Sequence, residues 1–336
     1  MNVENVVPMA PPREPVDMEV PHKTVLLHEM LAALAPYEGG TYVDATLGAG
    51  GHAEAILSVA GTRVIGIDRD LSALAIARGR LGHFGDRFVP VHGKFSEIAG
   101  HLEALGISCV HGICADIGVS SMQLNEAERG MSFRLGGPID MRMDASDGST
   151  ALDLIEALSD DELADVLFRF GDEKRSRRVA RCIKQAHAAG ELHTTLDLRR
   201  AVIRAVGPAR IGGVDPATKT FQALRIAVND ELGELNALIE AAKQVLSVGS
   251  VFAVISFHSL EDRLMKRAFR SVGWSALTKK PVVPSDAETA ENPRARSAKL
   301  RAARRIDESE NLGFDMDDPD TFGGGESAVD DEESVA

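Results

Sequence analysis

Short apolar or β-branched runs of strand length recur through the first part of the chain, at Tyr42–Val43, Val64–Ile67, Phe88–Val91 and Val110–Ile113, and once more at Val251–Ile255. Between the early runs lie stretches with helical periodicity, such as Ser72–Leu81. Strands alternating with helices predict a parallel sheet with right-handed crossovers, the doubly wound α/β class. Ligands in that class sit at the carboxyl ends of the strands. Each early run ends there in polar residues: Asp44, Asp68, Gly93 with Lys94 and Phe95, and Asp116.

After Asp116 the alternation stops and the pattern reads as helical until Val251. Ser159 and Glu162 form a capping box, followed by Leu163, Val166, Leu167 and Phe170 at helical spacing. A helix over Lys174–Ala189, stopped by Gly190, gathers Val179, Cys182, Ile183 and Ala186 on one face. Lys174, Arg177, Arg181 and Lys184 form a basic stripe on the other, a candidate phosphate track. Phe221 to Leu246 reads as one long helix ended by Gly249. The expected organisation is a discontinuous core, 22–125 and 219–306, interrupted by a helical substrate-recognition domain at 126–218. Residues 1–21, with five prolines, and the acidic tail 307–336 read as disordered extensions.

With 336 residues, 44% of them hydrophobic and 26% charged, the chain reads as a globular protein with a large core. No apolar run approaches the ~20 residues that span a bilayer, and the N-terminus lacks a signal-peptide pattern, so a cytoplasmic protein with no membrane partner is expected. Cys109, Cys114 and Cys182 include no C-x-x-C pair, which points to buried free thiols rather than zinc or disulfides. A net charge of −14 argues against nucleic acid until it is located. Twelve acids and no Lys or Arg fall from Asp307 onward, which leaves the rest at −2. Within that rest, residues 172–210 carry +6 and residues 263–305 carry +9, blocks suited to phosphates or to solvated helix faces.

The stretch Asp44–His52 carries the chemistry. Gly48, Gly50 and Gly51 form a turn that lets a ligand approach the backbone closely. The spacing Gly48, Gly50, Ala53 also fits the dinucleotide fingerprint, which leaves NAD open. Asp44 shifts the balance, because a carboxylate there suits a sulfonium and sits badly beside a diphosphate. S-adenosylmethionine is therefore favoured. Asp68 is placed to accept hydrogen bonds from ribose hydroxyls, and fits either cofactor. Asp116 faces the reactive end of the cofactor and suits a substrate-handling role, a cofactor role, or both. Ser256–Arg263 is dense in polar groups, but no G-x-S-x-G elbow supports a hydrolase. His22, His28 and His52 show no metal-ligand spacing, so no metal site is expected.

Seven motifs in order extend the picture: His22–Leu27, Asp44–His52, Asp116–Leu124, Glu128–Phe133 with Asp140–Asp144, Thr220–Asn229, Ser256–Arg263 and Asn292–Ser297. Together they closely resemble the bacterial 16S rRNA cytosine-N4 methyltransferases, the RsmH (MraW) family, from about His22 to Arg305. The resemblance implies a Rossmann-like methyltransferase core. It implies S-adenosyl-L-methionine held by Gly50, Gly51, His52, Asp68, Phe95, Asp116 and Gln123, with a decoding-region cytidine of 16S rRNA in the small subunit as substrate. Met122 departs from the family's usual proline and is expected to loosen the loop that places Gln123; Arg304 replaces a common glutamate and adds to the basic block. Phe133 and Phe257 are candidate partners for an unstacked base, and Gln222, Arg225 and Asn229 form a polar stripe that lines the site or an interdomain seam. The rival readings are an NAD-dependent oxidoreductase and a non-catalytic RNA-binding assembly factor.

Overall fold

The protein is described by a computed structural model covering residues 23–208 and 214–307. The expected extension 1–21, His22 and all of the acidic tail but Asp307 lie outside the described residues. The first half of the core runs α1 (Leu27–Leu34), β1 (Thr41–Asp44), α2 (Gly51–Leu57), β2 (Arg63–Asp68), α3 (Leu71–Leu81), β3 (Phe88–His92), α4 (Ile98–Ala104), β4 (Val110–Asp116) and α5 (Ser121–Asn125). Helices follow: α6 (Ala151–Ala157), α7 (Asp160–Gly171), α8 (Ser176–Ala188), α9 (Thr195–Val206) and α10 (Thr218–Asn229). The core then resumes with α11 (Glu231–Val245), β5 (Leu246–Ser256), α12 (Ser259–Ala268), β6 (Trp274–Ala276), α13 (Asp286–Glu291) and β7 (Lys299–Arg305).

The strands form one seven-stranded sheet in the order β3-β2-β1-β4-β5-β7-β6. The first five are parallel, and β7 runs antiparallel to both β5 and β6. This is the doubly wound α/β arrangement with an added antiparallel edge, and the strand order reverses between β1 and β4. Each sheet face carries its own apolar layer. On one side Ile98, Leu102, Leu235 and Leu238 pack with Phe252, Phe269 and Trp274, whose ring centroids lie 5.6–5.9 Å apart. On the other, Met30, Leu34, Ile56, Leu57, Leu74 and Leu81 cover Tyr42 and Val64. Pro90 sits on β3, an edge strand, where its missing N–H costs no inner ladder bond.

The helices α6 to α10 share a third core, built on Leu163, Leu167, Val179, Ile183, Leu198, Val202, Phe221 and Leu224. Gly171 lets α7 and α10 approach, since a Cβ there would lie 2.5 Å from the Lys219 carbonyl oxygen. The stretch read as one helix from Phe221 to Leu246 is two. Asp230 adopts a left-handed conformation, φ 45°, and separates α10 from α11. Gly233 leaves the room into which the Asp230 carboxylate turns, only 2.3 Å from where a Cβ would stand. Leu246 already belongs to β5, which passes through Gly249 at φ 89°. Because Phe221, Ala223 and Leu224 pack with the inserted helices, the packing divide falls at Asp230 rather than at 218.

Candidate active site

A cleft of about 1250 Å³, counting its open mouth, lies at the carboxyl ends of β1, β2 and β4, where the strand order reverses. The β1–α2 turn is fastened on both sides. Leu47 N–H donates to Ile67 O at 2.9 Å, Ala45 N–H to Cys114 O at 2.8 Å, and Thr46 Oγ1 accepts the Asp116 amide at 2.6 Å. Gly48 faces open space at φ 52°, and Gly51 packs so closely on Thr24 that a Cβ would stand 1.9 Å from Thr24 Oγ1. Gly50, at φ 81°, is set behind the wall, with Leu81 2.8 Å from its would-be Cβ; it caps α2 and is not part of the lining. His52 is buried and its Nε2 lies 3.1 Å from Val25 O, which ties α2 to the segment before α1.

Asp68 and Asp116 line the cleft, and Asp44 is buried next to them, outside the lining. Asp44 is fully buried; burial, against a hydrogen bond from the Thr46 amide and with the charge of Asp68 adding to it, pushes its carboxyl up to about 7. Asp116 is pushed up to about 8 by burial, then by the charges of Asp44 and Glu261. Asp44 Oδ2 and Asp116 Oδ1 have no hydrogen-bond partner. Asp68 accepts from the Gly48 amide at 2.7 Å and the Asp70 amide at 2.8 Å, yet burial still raises its carboxyl above the usual range. Phe95 supplies an apolar wall, with the Arg69 guanidinium 5.7 Å from its ring centre.

Gln123 lines the cleft but its amide is committed. Its Oε1 accepts the Ser120 amide, closing a capping box on α5, and its Nε2 donates to Asp70 Oδ2 at 2.9 Å. Met122 therefore does not loosen this loop: the box is complete, and Asp70 anchors it from α3. Asp70 is a residue the sequence reading passed over. Burial works against its charge, but hydrogen bonds from Ser72 and Gln123 and the Arg129 guanidinium hold it below the usual carboxylate range. Arg129 spans 2.9 Å to Asp70 Oδ2 and 2.5 Å to Met143 O, and so ties the start of the helical insertion to the cleft. Lys23, Asn292 and Arg294 also line the cleft. Asn292 donates to Lys23 O at 3.2 Å and Arg294 to Asn125 Oδ1 at 3.0 Å. The sequence signalled them only as members of the His22–Leu27 and Asn292–Ser297 motifs.

The chain matches the MraW methylase family over residues 19–306. It belongs to that family. A ribosomal RNA small subunit methyltransferase H from Sorangium cellulosum is 66% identical over 93% of this chain and 100% of its own length. One of the same name from Methylobacterium nodulans is 48% identical over 85% of this chain and 91% of its own. An rRNA methylase structure from Streptococcus thermophilus aligns at TM-score 0.40 and 10% identity, over 83% of this chain and 94% of that one, a likeness too loose to bear on the site.

Within this member of the MraW methylase family, the polar stripe on α10 is structural. Arg225 makes two hydrogen bonds to Glu231, at 2.6 and 2.8 Å, and Gln222 donates to Phe170 O. Asn229 accepts the Met143 amide and donates to Met141 O, both at 2.7 Å. It staples the 141–143 loop to the seam between the two units. Phe133 packs edge-on against Phe221 at 5.5 Å within the helical core, whereas Phe257 lines the cleft. Lys184 leaves the basic stripe to hold the carbonyls of Ile155, Glu156 and Leu158 at the end of α6; Lys174, Arg177 and Arg181 stay exposed. In the second block Lys299 and Arg301 pair with Asp262, and Arg304 donates to Gly249 O. Of the thiols, Cys114 is buried, Cys182 half-buried and Cys109 exposed, so only one fits the expected pattern fully. Among the described residues, no helix is long and apolar enough to cross a membrane.

Proposed function

We propose that this chain transfers a methyl group from S-adenosylmethionine to the exocyclic N4 of a decoding-region cytidine in 16S rRNA of the small ribosomal subunit. The observation that carries the reading is Asp116, which lines the cleft of a methylase-family chain with a buried, unpartnered oxygen, and which has the buried Asp44 at the end of the adjacent strand. Buried carboxylates of this kind suit a cationic ligand, because an opposite charge offsets the cost of ionising them. They suit a diphosphate badly. The Gly48 amide is also already taken by Asp68, the Gly50 amide by Leu47 O, and the Ala53 amide at the start of α2 faces Asp44. Three of the amides around the turn are thus met by the protein's own acceptors, which weakens the seat that a pyrophosphate would need.

S-adenosylmethionine supplies an activated methyl on a sulfonium. The residues present fit it: Asp116 keeps a buried, unpartnered oxygen in the lining, Phe95 gives an apolar wall, and each Asp68 oxygen keeps a lone pair for a ribose hydroxyl. His52 and Gln123 hold the surrounding backbone, and Gly50 sets the turn. What remains for the protein is alignment of the acceptor, worth up to ~7–11 kcal/mol when reacting atoms are held in line. The N4 lone pair of cytosine is delocalised into the ring. Acceptors that hold the N4 hydrogens favour a pyramidal nitrogen, and Asp116 with the carbonyls of Ile117 to Val119 stands where it can provide them. Phe257, 3.6 Å from the Cβ position at Gly118, offers a face for the extruded base.

Transfer of labelled methyl to small ribosomal subunits, followed by digestion to nucleosides, tests the reading. N4-methylcytidine is the expected product. Another methylated nucleoside would overturn the target. Cofactor binding with no label reaching RNA in any assembly state would favour the non-catalytic assembly factor. Stabilisation by NADH rather than S-adenosylhomocysteine would restore the oxidoreductase.

A further inference from the structure

The N-termini of α11 and α12 bring together three groups that methyl transfer does not use. Glu231, His258 and Glu261 each place one ligand atom within 4.8 Å of the others. Glu261 is 1% exposed. Its Oε2 accepts the amides of Phe257 at 2.8 Å and His258 at 3.2 Å, while its Oε1 has no hydrogen-bond partner. His258 Nε2 faces that oxygen at 3.0 Å, and neither atom has another partner. Glu231, 3% exposed, receives Arg225 on both oxygens and forms part of the cleft wall. A hydrogen-bonded carboxylate oxygen retains a second lone pair, so Arg225 orients Glu231 without exhausting it, as outer partners of metal ligands commonly do.

The local charge points the same way. Glu231 and Glu261 are buried together, with the Arg225 guanidinium and the His258 ring as their neighbours, and the field of Glu261 reaches Asp116. A surplus of buried carboxylate is costly unless it is paired or coordinates a cation. We propose that Glu231, His258 and Glu261 bind a divalent cation of the Mg²⁺ or Mn²⁺ class at the edge of the cleft. Two carboxylates and one imidazole suit a hard to borderline ion. Three protein ligands leave positions for water or a phosphate oxygen, and Glu231 turns them toward the cleft. Ligation through Nε2 places the imidazole proton on Nδ1 and gives up only the long 3.4 Å contact from the Glu261 amide. The α12 cap is kept by Glu261 Oε2. No spacing in the sequence announces the site, because Glu231 comes from a different helix.

Binding is measurable without turnover, so this proposal and the methyl-transfer reading can fail separately. Mn²⁺ is titrated into the untagged full chain by calorimetry and followed by electron spin-echo spectroscopy. One saturable site with nitrogen-14 modulation from a bound imidazole is expected, with Mg²⁺ competing for it. His258→Gln should remove the nitrogen signature, and Glu261→Gln should weaken Mn²⁺ by about 10–100-fold, at least the loss typical of an outer-shell change. Melting curves of both variants check that they fold. Because Glu261 also caps α12, the nitrogen signature of the unaltered protein stands as the measurement that needs no variant. Absence of a saturable site, a site without nitrogen coupling, or an unchanged signature in His258→Gln would overturn the proposal.

Discussion

Replacing Asp116 by Asn removes the most strongly perturbed carboxyl of the cleft without changing its shape, and its effect on stability should depend steeply on pH. In the folded protein Asp116 is raised from 3.8 to about 8, chiefly by burial and then by Asp44 and Glu261. A raised carboxyl binds its proton more tightly folded than unfolded. Its contribution to stability is therefore fully present below about pH 4 and is lost as pH rises through about 8. Each pKa unit is worth ~1.36 kcal/mol, so the whole loss is on the order of 5 kcal/mol, of which roughly 4 kcal/mol falls between about pH 5 and pH 8. The amide put in its place titrates nowhere in that range. In the absence of cofactor, the melting temperature of Asp116→Asn minus that of the parent should rise across this window by about 8 °C, at roughly 2 °C per kcal/mol, then level off. Scanning fluorimetry at half-unit intervals of pH measures it, and titrating groups that do not interact with Asp116 cancel in the difference. In an Asp44→Asn background the rise should shrink, because a neighbouring charge is gone. Parallel curves for parent and variant would refute the reasoning, since an Asp116 with an ordinary carboxyl gives no pH-dependent gap.

Gly51→Ala drives a methyl into Thr24 Oγ1 in the cleft wall and should weaken S-adenosylhomocysteine by about tenfold, or ~1.4 kcal/mol, in calorimetry; unchanged affinity would show that Thr24 moves aside without disturbing the cleft. Arg225→Met leaves Glu231 buried without its partner and should cost about 3–5 kcal/mol in urea unfolding, much of it recovered by adding Glu231→Leu. Charge reversal of Lys174, Arg177 and Arg181 should flatten the salt dependence of RNA binding. Lys184→Ala should leave that slope alone and cost about 1 kcal/mol of stability, since Lys184 serves the end of α6.

The parallel strands were readable because each is a short apolar run that ends in a polar residue at the ligand side of the sheet. β7 was not, because Lys299–Arg305 alternates charge with small residues and looks like a phosphate-binding block. Its arginines instead reach Asp262 and the Gly249 carbonyl. The division at Asp230 was equally hidden. Aspartate does not forbid a helix, and the cause lies in a contact across the fold, where Asn229 reaches Met141 and Met143. Asp44, Asp68 and Asp116 could be named from sequence because each closes a strand. Asp70, Arg129 and the Glu231, His258 and Glu261 cluster could not, since their meaning depends on pairings between distant segments.

The run of contacts from Asp68 through Asp70 to Gln123 and Arg129, and on to Met143, joins the floor of the cofactor cleft to the first loop of the helical unit. Under the proposed function, a ligand held by Asp68 is linked through these contacts to the loop at Met143. Thermodynamic linkage makes such an influence reciprocal. Whatever factor the cofactor lends to RNA affinity, RNA must return to cofactor affinity. Where that factor favours binding, each ligand is held more tightly in the presence of the other, and the Asp70–Arg129 pair is the contact through which the two are joined.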